Sequence, residues 1–232
     1  ESVERVIPIK PSWEQVRDLI CTKGRDQYMR GVDLDQYART HIHPIREIVD
    51  RGGKGWRSYA AVACIDIVGG DSRNFVEWIA LPELMHVGSL IVDDVQDKSE
   101  TRRGGKTAHL IWGESQAINS GTAAYFIGNQ LVRDEFLSSA DVVRVYRLYF
   151  DALRAGHAGQ AIDLDGFDPL MPGVVETGDA ATLEDRVLAV HRLKTAAPAG
   201  CLARIGAVCG GGSEAQIEGV GVFFEDLGLA FQ

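Results

Sequence analysis

Apolar side chains recur at spacings of three and four from Phe75 to Val95, through Val76, Ile79, Leu84, Val87, Leu90 and Ile91. That is the period of one buried helix face. Gly69-Gly70 ahead of the run, with Asp71 or Ser72 as N-cap, marks its start, and Pro82 within it predicts a kink or a break into two helices. The same period predicts helices over Trp13 to Met29, Asp33 to Val49, Arg57 to Ile67, Thr107 to Ser139, Asp141 to Asp165, Leu183 to Cys209 and Gln216 to Phe231. Asp168 to Gly178, with Pro169 and Pro172, reads as a surface loop. Strand-like alternation is rare, and no repeat or linker divides the chain. The pattern predicts an all-α bundle around one core, a single domain over residues 1–232.

The polar positions of the central run form their own pattern. His86, Asp93 and Asp97 fall within roughly 40° of one another on a helix, so they share a stripe opposite Leu84, Ile91 and Val95. Carboxylates at i and i+4 repel each other unless something compensates them. A divalent cation does so, and hard oxygen ligands suit Mg²⁺, which also takes phosphate oxygens. An isolated acid pair reads equally well as a solvated outer face. What alters the weighing is Arg102-Arg103-Gly104 shortly after Asp93-Asp94-Val95-Gln96-Asp97, because guanidinium forks grip phosphate bidentately.

A second basic group, Lys54 and Arg57, lies in Gly52-Gly53-Lys54-Gly55-Trp56-Arg57-Ser58. Its glycines allow a backbone to approach an anion near a helix start. Taken alone, a Gly-rich turn with two surface cations is the commoner explanation. Gly159-Gln160-Ala161-Ile162-Asp163 and Lys194-Thr195 carry no meaning singly. His41 and His43 do not share a helical face and lack zinc-type spacing.

Composition narrows the partners. A chain of 232 residues that is 45% hydrophobic has ample material for a core. Its net charge of −9 opposes binding to nucleic acid or to an anionic membrane surface, so an anionic ligand has to be captured by a local cationic cluster. Cys21, Cys64, Cys201 and Cys209 sit among apolar residues without CxxC pairing, which reads as reduced core thiols and a cytoplasmic location. No uninterrupted apolar run reaches membrane-spanning length and no signal peptide is visible, so stable membrane insertion is not expected. The sequence begins at Glu1 without an initiator Met, which suggests that an N-terminal piece is already gone.

Together these motifs resemble, in order, those of the trans-isoprenyl diphosphate synthases, the polyprenyl synthetase family, from about Arg51 to Gln232. Asp93 to Asp97 is similar to the family's first aspartate-rich motif, followed at the family's distance by Arg102-Arg103-Gly104. Gly53-Lys54 with Arg57 resembles its Gly-Gly-Lys-x-x-Arg signature, and His86 its histidine ahead of the acids. Gly159-Gln160 with Asp163, Lys194-Thr195, and Phe231-Gln232 resemble three later motifs. The resemblance implies an isoprenoid-synthase-type helical bundle around a central cavity. It implies Asp93 and Asp97 as Mg²⁺ ligands, with Asp94 beside them. Arg102, Lys194, Thr195 and Gln232 would hold an allylic diphosphate, with Asp93, Asp97 and Lys194 at the catalytic centre. Lys54, Arg57, His86 and Arg103 would hold isopentenyl diphosphate, while Gln160 and Asp163 support Lys194.

The sequence departs from the family at Gly55, where an Arg is common, at Ser58, which replaces a Pro, and at Thr122, where many members carry an Asp. It also stops at Gln232, just short of where a second aspartate-rich motif would begin, so truncation is the expectation. The implied reaction condenses the two substrates into a longer trans-prenyl diphosphate, with the diphosphate leaving and no protein nucleophile. Small residues at Gly88 and Ser89 imply a product of C15 or longer unless Tyr125 or Phe126 blocks the floor. The resemblance also implies a homodimer. Two alternatives stay open: a terpene cyclase of the same fold, and a non-catalytic partner subunit.

Overall fold

A computed structural model describes residues 2–21, 24–132 and 137–232. The expected all-α class holds. Among the described residues the only β structure is a hairpin of two-residue strands, Thr101–Arg102 and Gly105–Lys106. Two compact units can be distinguished, Glu1–Tyr59 with Phe75–Arg133 and Ala60–Asn74 with Asp134–Gln232.

In the first unit, helix Trp13–Ile20 is opened by a capping box in which Ser12 and Gln15 exchange side-chain and backbone hydrogen bonds. It stops well short of Met29, and a separate 3₁₀ turn covers Asp26–Met29. The Asp33 side chain accepts the Gln36 N–H at 2.7 Å and starts Leu34–Tyr37. This continues as a π segment, Ala38–Ile42, and then as helix His43–Asp50. Pro44 explains the π segment: it has no N–H to give the Thr40 carbonyl four residues back. Ser120 Oγ donates to that carbonyl instead at 3.1 Å, as does Gln116 Nε2.

The long central run starts as a 3₁₀ segment, Ser72–Ile79, and becomes α-helical over Ala80–Gln96. Asp71 caps its start, accepting the Arg73 N–H at 3.0 Å. The expected break exists, yet it lies ahead of Pro82, which sits in the first α-turn where a missing N–H costs nothing. Leu81, Leu84, Val87 and Ile91 are fully buried and make the core of this unit with Ile45, Ile48, Ala117 and Ala124. The central helix packs on Glu114–Ile127 at Gly88 and Gly121, where a Cβ on Gly88 would meet the Gly121 carbonyl oxygen at 2.6 Å. By length and mean hydropathy alone, Ser72–Gln96 is long and apolar enough to cross a membrane, although Glu77 and Glu83 interrupt its apolar run. Half of its most apolar window is buried inside the protein, as befits a core helix. The expected single helix Thr107 to Ser139 is instead Ala108–Trp112, Glu114–Ile127 and the 3₁₀ turn Gly128–Leu131; of its remaining stretch, residues 133–136 lie outside the described residues.

The second unit centres on Ala197–Cys209, buried almost all round between Ser139–Asp165 and Glu214–Phe231. Ser138 and Ser213 cap those two helices. Ala197–Cys209 continues from Ala181–His191 through a second π segment, Arg192–Ala196, and Pro198 supplies the same cause as Pro44, withholding an N–H from the Lys194 carbonyl. Asp168 to Gly178 is not a loop. It forms the 3₁₀ turn Asp168–Leu170 and helix Met171–Thr177, with Pro169 and Pro172 in their first turns and Gly178 as a left-handed C-terminal stop. Cys64, Cys201 and Cys209 are buried free thiols, whose pKa values burial raises to about 11, 11 and 12. Cys21 is only half-buried, so it is not the core thiol expected.

Candidate active site

The C-terminal end of Ala80–Gln96 carries the acids. Asp94 is fully buried, and Arg102 grips it with Nε 2.9 Å from Oδ1 and 3.2 Å from Oδ2. Arg102 Nη2 lies 3.6 Å from Asp93 Oδ2, and both side chains keep partial exposure, 28% and 20%. Burial pulls the Arg102 guanidinium down, but the Asp94 hydrogen bond outweighs this, so its pKa is raised. Asp97 is exposed at the C-cap with near-helical angles, which leaves it one turn beyond Asp93 on the same stripe. Three carboxylates at a helix C-terminus face the unfavourable end of the dipole, and folding alone gives no reason to gather them there. Tyr125 lies nearby, its phenol pushed up to about 12 by burial and by the Asp93 charge.

Among the described residues, no group of three or more acidic, histidine or cysteine side chains is arranged to hold a metal by protein ligands alone. Asp94 is buried against Arg102, so the more exposed carboxylates Asp93 and Asp97 are the candidate metal ligands. Two carboxylates completed by water and phosphate oxygens are what Mg²⁺ ordinarily takes, so the residues fit that ion.

Near its N-terminal end the same helix carries the opposite balance. Arg103 Nη2 donates to Glu83 Oε1 at 3.1 Å and Nη1 to the Ile48 carbonyl at 3.0 Å. Arg57 Nη1 lies 3.4 Å from His86 Nε2, and its guanidinium stacks over Trp56 at 4.7 Å. Burial lowers the Arg57 pKa, opposed by the Glu83 charge. Burial first, then Arg57, Arg103 and Arg102, drive His86 down to about 3, so its imidazole is neutral at pH 7. Lys54 is exposed in the adjoining turn.

Arg102 and Arg103 are neighbours that point to opposite ends of one helix. The hairpin between them explains this, since Arg103-Gly104 forms its two-residue turn with φ of 50° and 77°. Both angles are positive, as a type I′ turn requires. Left-handed backbone costs a non-glycine residue roughly 1 kcal/mol, so other contacts must hold Arg103 there. Gly53 contributes one: a Cβ on it would come within 2.8 Å of Arg103 Nη2. The expectation that Gly53 opens the backbone to an anion is therefore corrected, because its open side seats a guanidinium.

In the second unit, Lys194 Nζ donates to Asp163 Oδ2 at 2.8 Å, and Thr195 Oγ1 to Gln232 Oε1 at 2.7 Å. Lys194 and Thr195 both lie in the π segment, Thr195 being buried. Gly159 permits the close approach of Ser139–Asp165, since its Cβ would lie 2.6 Å from the Lys194 nitrogen; half-buried Gln160 follows it. The family resemblance had pointed to Gln160, Asp163, Lys194, Thr195 and Gln232. It missed Glu83, the counter-charge of Arg103, though its position three before His86 on one helix was a usable signal.

A family model described as polyprenyl synthetase matches residues 39–232. Geranylgeranyl pyrophosphate synthase 4 of Arabidopsis thaliana is 34% identical over 197 residues, covering 83% of this chain and 51% of its own. Short chain isoprenyl diphosphate synthase of Methanothermobacter thermautotrophicus is 30% identical over 207 residues, covering 89% of this chain and 60% of its own. The crystal structure of geranylgeranyl pyrophosphate synthetase from Pyrococcus horikoshii Ot3 superposes with a TM-score of 0.73 at 24% identity, over 100% of this chain and 65% of that one, a likeness of fold. The chain thus spans about half the length of the curated relatives it matches, or somewhat more.

Proposed function

The chain belongs to the polyprenyl synthetase family, and from that premise we propose that it serves a Mg²⁺-dependent prenyltransferase. The enzyme condenses an allylic diphosphate with isopentenyl diphosphate. The relatives named geranylgeranyl and short chain isoprenyl diphosphate synthases support that substrate class. One observation carries the reading: the two ends of helix Ala80–Gln96 have opposite charge balances, Asp93, Asp94 and Asp97 against Arg102 at one, and Arg57 and Arg103 against Glu83 at the other. An acid-rich end suits a metal-bound diphosphate, and a cation-rich end suits a second diphosphate held without metal.

Asp93 and Asp97 would hold Mg²⁺, which when bound would supply neutralisation of the charge that builds on a departing diphosphate. Arg102, its side chain fixed by Asp94, is assigned to the same diphosphate, as the family resemblance also assigns Lys194, Thr195 and Gln232, with Asp163 and Gln160 supporting Lys194. Lys54, Arg57, Arg103 and neutral His86 hold isopentenyl diphosphate. Its alkene forms the new bond to the allylic carbon as the C–O bond to diphosphate breaks, and the released diphosphate takes the proton that the adduct then loses. Arg102, Arg103, Lys194 and Thr195 are each held by a partner before substrate arrives, which is the economy of electrostatic preorganisation. No Ser, Cys or His nucleophile enters, and His86, neutral far below pH 7, is unsuited to being a proton-carrying acid.

The product is C15 or longer. Gly88 is spent on the approach of Gly121, so exposed Ser89 is the small residue left to open a pocket floor. We assign the enzyme to the cytoplasm as a homodimer. The test is diphosphate release and product analysis with allylic substrate, with and without isopentenyl diphosphate. Release that needs both substrates supports condensation. Release with allylic substrate alone, with a hydrocarbon product, indicates a cyclase, and no release at all indicates a non-catalytic subunit.

A further inference from the structure

The hairpin that aims Arg102 and Arg103 is itself gripped by a residue outside the roles assigned so far. Arg51 Nη1 donates to the Arg102 carbonyl at 2.9 Å and to the Lys106 carbonyl at 2.8 Å, so it spans both strands. Its Nη2 is held by Glu47 Oε1 at 2.8 Å. Gly105 makes room for it, since a Cβ there would stand 2.7 Å from Arg51 Cζ. Arg103 returns the gesture, seated on Gly53 and bonded to the Ile48 carbonyl. Each of two arginines, one from the turn before Trp56 and one from the hairpin, rests on a glycine of the other segment. A left-handed Arg103 relaxes unless the hairpin is held in register, and Arg51 supplies donors to carbonyls on both strands.

We infer that Arg51 is a positioning residue, one that clasps the hairpin to the basic turn so that the Arg103 guanidinium is preset for isopentenyl diphosphate. This rests on the reading of Arg103 as a ligand of that substrate. Arg102 depends on it less, because buried Asp94 fixes its side chain directly.

The experiment is a double-mutant cycle of Arg51→Ala and Arg103→Ala, reading isopentenyl diphosphate affinity by calorimetry with Mg²⁺ present. The expected result is about tenfold weaker binding for Arg51→Ala alone and no further loss when it is added to Arg103→Ala. Equal weakening in both backgrounds overturns the inference, because a merely structural residue adds. If Arg51→Ala does not fold, Arg51→Lys, which cannot reach two carbonyls and Glu47 together, carries the same cycle with about a threefold effect. Hydrogen exchange is independent of substrate: amides of residues 101–107 should exchange faster in the variant while those of Glu214–Phe231 do not, and unchanged exchange overturns the clasp. A wild-type protein that binds no isopentenyl diphosphate sinks the functional reading and this inference with it. One that binds but gives an additive cycle sinks the inference alone.

Discussion

The two ends of helix Ala80–Gln96 use the same ingredients, arginine and carboxylate, to opposite effect. At the C-terminal end one arginine faces three acids, and the acid it grips most closely, Asp94, is the buried one. Towards the N-terminal end one acid, Glu83, faces Arg103 and the field of Arg57, and the histidine between them is kept neutral. The ends are about 15 Å apart along the axis, ten residues of rise. Each end thus combines both signs on the same rigid element, with carboxylates in the majority at one and guanidiniums at the other. An ion pair here fixes the geometry of the charged groups around it.

The sharpest way to break that contrast is to remove one residue from each end. Asp93→Ala should lower kcat by roughly 10³-fold or more while leaving isopentenyl diphosphate affinity within about twofold, since a metal ligand acts on the leaving diphosphate. Arg103→Ala should do the reverse, weakening isopentenyl diphosphate by about 10- to 100-fold with kcat at saturation little altered. Steady-state kinetics with each substrate varied in turn checks both. Effects falling on the same parameter would mean that the ends are not functionally distinct.

A smaller effect concerns His86. Its folded-state pKa, about 3, lies below the unfolded value near 6.5, so the unfolded chain takes up the proton more readily. Stability carried by the neutral imidazole is complete above pH 6.5 and is lost as pH falls from there toward 3. With a discount for the partial exposure of the ring, the loss is on the order of 3 kcal/mol. Urea midpoints of wild type and His86→Gln between pH 7 and 4 should converge as the pH drops, because only the wild type pays this penalty. Parallel curves would place the histidine's field elsewhere.

Periodicity was enough to read the all-α class and the central helix, though not the breaks within Trp13 to Met29 and Thr107 to Ser139. What it left out were backbone events with named causes. Both π segments end two residues before a proline, Pro44 and Pro198, and the first has its released carbonyl, Thr40, accept from Ser120 Oγ, while the second carries Lys194 and Thr195. Backbone irregularity of one origin thus serves the core in one unit and a candidate ligand pair in the other, so a π segment by itself does not mark a site. Pro169 and Pro172 looked like breakers and proved to be first-turn residues. At the site, the adjacency of Arg102 and Arg103 stood out in the sequence. Their divergence did not, because it depends on positive φ at Arg103, and Gly53 was given an anion where it holds a guanidinium. Tertiary partners decide such points, and local spacing does not contain them.

Glu83→Gln gives the smallest and most discriminating effect. The amide oxygen can still accept from Arg103 Nη2, now 3.1 Å from the carboxylate, but the charge opposing an incoming diphosphate is gone. If the charge in the majority is what each end supplies, isopentenyl diphosphate should bind about two- to threefold more tightly, with a steeper salt dependence. The arginines lose their counter-charge, so the urea midpoint should fall slightly. Weaker binding would give the opposite lesson, that the carboxylate matters as a brace whose charge-assisted bond the amide cannot replace. The basic end would then owe its affinity to geometry more than to charge, and the symmetry drawn between the two ends of the helix would fail at this residue.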